Sequence, residues 1–239
     1  MRALHYKIAA KITAEIAGSA LDLLFPMECA GCHKQGDTLC ASCLNDSPRL
    51  REPYCRLCGQ PGGPSPCGYC REMPLEIDAI RAPFILEGPV RAAIHGLKYR
   101  NLRASAPHLG RIMGEHILAR HLPGDLLAPV PLHSSRLRQR GYNQSELLAK
   151  AAAKASGIPL ETRLLSRTKN TSPQVESQSR DQRRDNVDGN FECRSSIAGV
   201  SVILIDDVAT TGSTLSACAA VLKAAWARSV WGLVLAREA

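Results

Sequence analysis

Eight of the ten cysteines lie between residues 29 and 70 as four C-x-x-C pairs: Cys29/Cys32, Cys40/Cys43, Cys55/Cys58 and Cys67/Cys70. No other feature restricts the fold so tightly. Seven residues separate the first two pairs and eight the last two. A C-x-x-C makes a tight knuckle that points two thiolates at one spot, and two knuckles complete a tetrahedral Zn²⁺ site. Loops rich in Gly and Pro, such as "GQPGGPSPCGYC", supply the permissive backbone that such turns need. Two structural Cys₄ zinc sites are therefore expected. The preferred pairing is sequential, with a cross-braced arrangement as the alternative. Each site spends all four positions on protein ligands, so neither has an open position for chemistry. "CAGCH" at 29–33 also matches the attachment motif of a c-type haem, with His33 as iron ligand. That chemistry requires export and leaves three further pairs without a purpose, so His33 is read as a neighbouring loop residue.

The redox compartment follows from the N-terminus. The run "IAAKITAEIAGSALDLLF" is interrupted by Lys11, Glu15 and Asp22, which does not fit the uncharged core of a signal peptide. Ile8, Ile12 and Ile16 recur at helical spacing, so residues 1–25 are expected to form an amphipathic helix. No segment is long enough to span a bilayer. A cytoplasmic protein is expected, in which paired cysteines serve metals rather than disulfides. Cys193 and Cys218 stand apart and are given no role beyond that of small hydrophobes.

The segment "VSVILIDDVATTGSTLSACAAVLKAA" is the most informative about ligands. Residues 202–205 form an apolar, β-branched run suited to a strand buried on both faces of a parallel sheet. Asp206 and Asp207 follow, then a loop of small residues, then a helix from Leu215 to Ala225. Ligands of open parallel sheets sit beyond the carboxyl ends of the strands. Thr210, Thr211, Gly212, Ser213 and Thr214 offer hydroxyls and backbone N–H groups at a helix N-terminus, which suits a phosphate. Two carboxylates beside a phosphate must hold something else, such as ribose hydroxyls or Mg²⁺.

Between these two motifs, residues 78–100 read as a strand and a helix ending in "IHGLKYR". A longer helix is expected from Leu102 to about His121, then a buried strand in "DLLAPVPLH" and a helix in "SELLAKAAAKA". "SSRLRQRGYNQ" reads as a basic loop at the carboxyl edge of the sheet, carrying Arg136, Arg138 and Arg140. Residues 133–184 hold eleven Lys or Arg against four Asp or Glu, which is +7 of the formal +8. A local surplus of this kind suits an anionic ligand or nucleic acid. Residues 163–191 are polar and mostly without period, and a mobile hood over the site would account for so long a connection.

"VILIDDVATTG" resembles the phosphoribosyl pyrophosphate (PRPP) motif of the type I phosphoribosyltransferases. With "LLFPMECAGC", the four C-x-x-C pairs, "HGLKYR", "VPLH", "RGYNQ", "TSPQV", "RRDNVDGNF" and "DDVATTGST", the chain resembles the ComF family of competence-associated proteins and their gluconate-linked relatives, from about residue 20 to 237. The resemblance implies an α/β fold. A type I phosphoribosyltransferase-like parallel sheet with flanking helices (75–239) would be preceded by a small Cys-rich double zinc ribbon (26–74). It implies that Asp206 and Asp207 hold the ribose hydroxyls of Mg²⁺-bound PRPP and that Thr210–Thr214 hold its 5′-phosphate. Arg136, Arg140 and Lys98 would face pyrophosphate. Where the family has an apolar residue in the hood this chain has "ESQS", which leaves Arg180, Arg183 and Arg184 as alternative hood cations. Two functions follow as expectations. One is phosphoribosyl transfer in the setting of DNA uptake and natural transformation, with PRPP, pyrophosphate or a nucleoside monophosphate as ligand. The other is a non-catalytic nucleotide sensor that binds single-stranded DNA or DNA-uptake proteins. The low aromatic content, 4%, argues against extended base stacking.

Overall fold

The computed structural model describes residues 28–167 and 191–239. The helix expected over 1–25 lies outside the described residues, as do most of the hood and its three alternative arginines. In chain order the elements are α1 (Ala41–Asn45), α2 (Gly68–Glu72), β1 (Ala79–Arg81), β2 (Phe84–Ile85), α3 (Gly88–Tyr99), α4 (Ala106–Arg120) and β3 (Leu126–Pro129). They continue with α5 (Ser134–Arg140), α6 (Gln144–Ser156), β4 (Leu165–Arg167), β5 (Phe191–Cys193), β6 (Ser201–Ala209), α7 (Ser213–Ala224) and β7 (Ser229–Arg237).

The apolar run at 202–205 is the middle of β6, and all four of its side chains are fully buried. β6 pairs with β7 on one side and β3 on the other, and β1 and β2 share the far edge of β7. Every pairing in this sheet is parallel. Side chains alternate along β6. Ile203 and Ile205 face one core with α3, α4 and α6, while Val202 and Leu204 face a second core with α7 and the β4–β5 ribbon. Both faces are covered, so the strands carry no polar alternation.

α4 packs closely against α6. A Cβ on Gly110 would stand 2.5 Å from the Leu148 carbonyl oxygen, and one on Gly114 2.6 Å from that of Ala152. Only hydrogen fits there, so the two backbones pack directly and fix the position of α6.

The cysteine segment docks on the sheet rather than standing apart. Cys29, Leu39 and Cys43 share a core with Phe84 and the α3 side chains. Ile80 N–H donates to the Leu57 carbonyl at 2.7 Å, and Ile85 N–H to that of Pro48 at 2.9 Å.

One expectation is corrected. The basic "loop" after β3 is a two-turn helix, α5, with His133 as its N-cap, where Nδ1 accepts from Ser135 N–H at 3.1 Å. None of its residues is buried, so it has no apolar period to detect, while its Leu, Arg and Gln residues are good helix formers. The polar connection expected over 163–191 is also anchored at both ends, by the antiparallel pairing of β4 with β5.

Candidate functional site and two four-cysteine centres

The cysteines cluster in sequential pairs. Cys29, Cys32, Cys40 and Cys43 form one group and Cys55, Cys58, Cys67 and Cys70 the other, with the sulfurs of each within 4.8 Å of one another. The described cysteines form no disulfides. Sulfurs at the corners of a tetrahedron about 2.3 Å from a central Zn²⁺ stand about 3.8 Å apart. The observed separations are 3.7 Å for Cys32–Cys40, 3.6 Å for Cys58–Cys67 and 4.0 Å for Cys55–Cys70. The donor set and its dimensions therefore fit zinc.

The second knuckle of each group opens a helix, α1 after Cys40 and α2 after Cys67. Their backbone N–H groups donate to Cys29 Sγ at 3.3 Å and Cys55 Sγ at 3.4 Å. Burial raises both of these thiols, but the N–H groups around them outweigh it and pull each down to about 6. The shift is toward the thiolate, the form that ligates metal. His33 is outside the cluster, exposed, with Nδ1 3.7 Å from Glu28.

In the sheet, β3 stops at Pro129, opposite Ile205, while β7 continues alongside Asp206 and Val208. The acid pair therefore sits inside a strand held on one side only, facing the gap where β3 has ended. The start of α6 fills that gap. Asn143 Nδ2 donates to the Val130 carbonyl at 3.0 Å, and its Oδ1 accepts from Ser145 N–H at 3.0 Å. Ser145 Oγ is thereby placed to donate to Asp206 Oδ1 at 2.7 Å.

Asp207, only 3% exposed, receives Lys98 Nζ at 3.0 Å on Oδ1. Its other oxygen, Oδ2, is buried and has no hydrogen-bond partner among the described residues. An orphan acceptor on a buried carboxylate costs free energy unless something donates to it or binds it. Burial, and after it the Asp207 charge, push Asp206 up to about 7, against Ser145, the Asp207 N–H and Lys98.

Lys98 also borders a cavity of about 400 Å³ that Tyr99, Asn101, Arg136, Arg140 and Tyr142 complete. The end of α3, which carries Lys98, is fixed where Tyr142 Oη donates to the Leu97 carbonyl. Arg140 donates to Gln144 Oε1 and lies 5.7 Å from the Tyr99 ring centre. Three cations thus line one basin, and one of them, Lys98, reaches the acid pair.

Gly212 has φ +81° and a Cβ there would meet Ile80 Cδ1 at 2.7 Å, so the turn into α7 requires glycine. Thr211 Oγ1 and Ser213 Oγ are 2.8 Å apart, and Ser213 N–H lies 3.3 Å from Thr211 Oγ1. Thr210 and Thr211 line a different cavity, against the second cysteine group. The sequence reading did not anticipate Ser145, although it follows "RGYNQ" directly. It also missed Arg237, whose charge at the end of an otherwise apolar strand was a usable signal.

Residues 20–74 match the family model described as a double zinc ribbon domain. The "DNA utilization protein YhgH" of Salmonella typhi is 31% identical over 191 residues, covering 77% of this chain and 83% of that protein. Its namesake in Escherichia coli K12 is 30% identical over 204 residues, covering 82% and 89%. "Competence protein F" of Haemophilus influenzae is 28% identical over 229 residues, covering 89% and 98%. Among solved structures, a purine phosphoribosyltransferase from Pyrococcus horikoshii aligns at 16% identity with a TM-score of 0.35, over 54% of this chain and 71% of that one.

Proposed function

The chain belongs to the ComF family of competence and DNA-utilization proteins, and from that premise we propose that it binds PRPP with Mg²⁺ and transfers the phosphoribosyl group. The observation that carries this reading is the buried, partnerless Oδ2 of Asp207 at the carboxyl end of β6. Asp206 and Asp207 accept from the ribose hydroxyls or hold the hydrated cation, and Thr210–Thr214 bind the 5′-phosphate at the start of α7. Bound Mg²⁺ neutralises part of the diphosphate charge. A nitrogen nucleophile forms a bond to C1 and gives up its proton, the C1–O bond breaks, and pyrophosphate leaves with the electron pair. Lys98, Arg136 and Arg140 line the basin in which that negative charge develops, with Lys98 held by Asp207 and Arg140 by Gln144 and Tyr99.

The test is calorimetric titration with Mg²⁺ and PRPP across pH. Asp206 stands near 7 in the free protein and must be a carboxylate in the complex, so binding releases a proton. Affinity is expected to rise from pH 6 to pH 8 and level off above. A raised carboxylate pKa has the opposite sign for stability: the contribution of Asp206 falls as pH rises from about 4 to about 7, against that of the depressed His116, which grows over much of the same range. Absence of binding at pH 8, where the pair is ionised, overturns the reading.

A second reading, single-stranded DNA binding, is favoured by a separate feature. A cleft of about 250 Å³ near the amino end of β7 is lined by Tyr54, Arg81, His116, Arg120, His121 and Trp231. Burial and the charges of Arg120, Arg49 and Arg81 push His116 down to about 4. Among the described residues no carboxylate pairs with any of these arginines. Arg120→Glu is expected to weaken oligonucleotide binding and to flatten its dependence on salt by about one phosphate contact. Binding that ignores ionic strength removes this reading.

A further inference from the structure

We infer that Arg237 is a strut through which the second four-cysteine centre holds the phosphate loop in place, so that occupancy of the two sites is mutually reinforcing. The inference rests on reading Thr210–Thr214 as that loop.

Arg237 closes β7 and is 2% exposed. Its Nε donates to the Cys58 carbonyl at 2.9 Å and its Nη2 to Gln60 Oε1 at 2.7 Å, both on the cysteine knuckle. Its Nη1 donates to the Ala209 carbonyl at 2.9 Å, one residue before Thr210, and to that of Glu238 at 2.8 Å. One rigid, planar fork thus spans knuckle and loop, a geometry that lysine cannot reproduce.

All four acceptors are neutral, and no carboxylate among the described residues pairs with this buried cation. Burying an unpaired charge is costly. Four thiolates around a divalent metal carry a net double negative charge, and Cys58, whose carbonyl accepts from Nε, contributes one of them. The metal-loaded knuckle therefore supplies the counter-charge that the rest of the environment of Arg237 lacks.

A second route runs beside the first. Ile80 N–H donates to the Leu57 carbonyl at 2.7 Å, while the Ile80 side chain supports Gly212 from below, with Leu75. Leu75 in turn packs on the cysteine cluster. Glu76 N–H donates to Ser216 Oγ at 2.8 Å, tying the chain after this centre to α7. The floor of the loop is built from residues that also position the knuckle.

Coupling between two sites is reciprocal. PRPP is therefore expected to slow chelator-driven release of one of the two zinc ions, about 5-fold or more, the lower end of typical couplings. In Arg237→Gln that protection is lost and PRPP binds about 10-fold more weakly. Gln60→Ala, which removes only the knuckle-side acceptor of Nη2, loses part of the protection and serves if the first variant does not fold. A ligand-free readout separates this inference from the functional proposal: hydrogen exchange of the amides of 210–214. Those amides should exchange faster in both variants, and in wild type after one zinc is removed. Unchanged loop exchange in folded variants overturns the strut whether or not PRPP binds. Faster exchange without PRPP binding in wild type supports the strut and overturns the proposed activity.

Discussion

Asp207→Asn is expected to lower exchange between PRPP and pyrophosphate by about 100- to 1,000-fold, the range seen when one preorganised electrostatic contact is removed from an active site. The amide keeps the shape of the side chain and removes its charge. Lys98, 3.0 Å from Oδ1 in the parent, then loses the anion that positions it. The orphan Oδ2 site is replaced by a group that either donates or accepts but no longer attracts a cation. Folding should survive, because the substitution relieves the repulsion that helps to raise Asp206. For the same reason the residual binding should reach its plateau at lower pH than in wild type. Isotope exchange gives the rate, and circular dichroism confirms the fold. Exchange within threefold of wild type would remove Asp207 from the mechanism.

Cys70→Ser should be the most damaging change to stability. Cys70 is 4% exposed, on α2, with its sulfur 4.0 Å from that of Cys55. A serine oxygen is a poor zinc ligand, and structural zinc sites carry apparent binding energies of about 10–16 kcal/mol that are also folding energy. Loss of even about 5 kcal/mol lowers the melting temperature of a chain this size by 10 °C or more, at about 2–4 °C per kcal/mol. Mass spectrometry should find one zinc per chain where the parent has two. His33→Ala, by contrast, should retain both, because His33 is exposed and outside the cluster. Two zinc ions in the serine variant, or loss of one in the alanine variant, would contradict the assignment of ligands.

What could be seen in the sequence was whatever short-range spacing encodes. The cysteine knuckles, the buried strand at 202–205, the acid pair and the small-residue turn each occupy a few consecutive residues; the knuckles, the buried run and the turn lie where expected, while the acids fall inside the strand rather than after it. Their boundaries shifted where pairing decided them. β6 runs on through the acids to Ala209, because β7 continues beside it after β3 has stopped. α5 escaped notice because a helix with no buried face leaves no period. The contacts that complete the site were not legible at all. Ser145 meets Asp206 across 61 positions, and Arg237 meets Cys58 across 179, distances over which local pattern carries no information.

The position of β7 has a consequence for how the chain is made. It follows every other strand of its sheet in the sequence, yet it lies inside the sheet, between β6 and the β1–β2 edge. During synthesis the cysteine centres, whose ligands are all close in sequence, can assemble as soon as residue 70 has emerged. The sheet cannot close, and the groove between β6 and β1 stays open, until residues 229–237 arrive. Pairings that wait for so distant a partner form slowly and leave strand edges exposed meanwhile. The ribosome thus delivers the cysteine-rich head on an unfinished body, and the nine residues of β7, with Arg237 among them, decide when the two become whole.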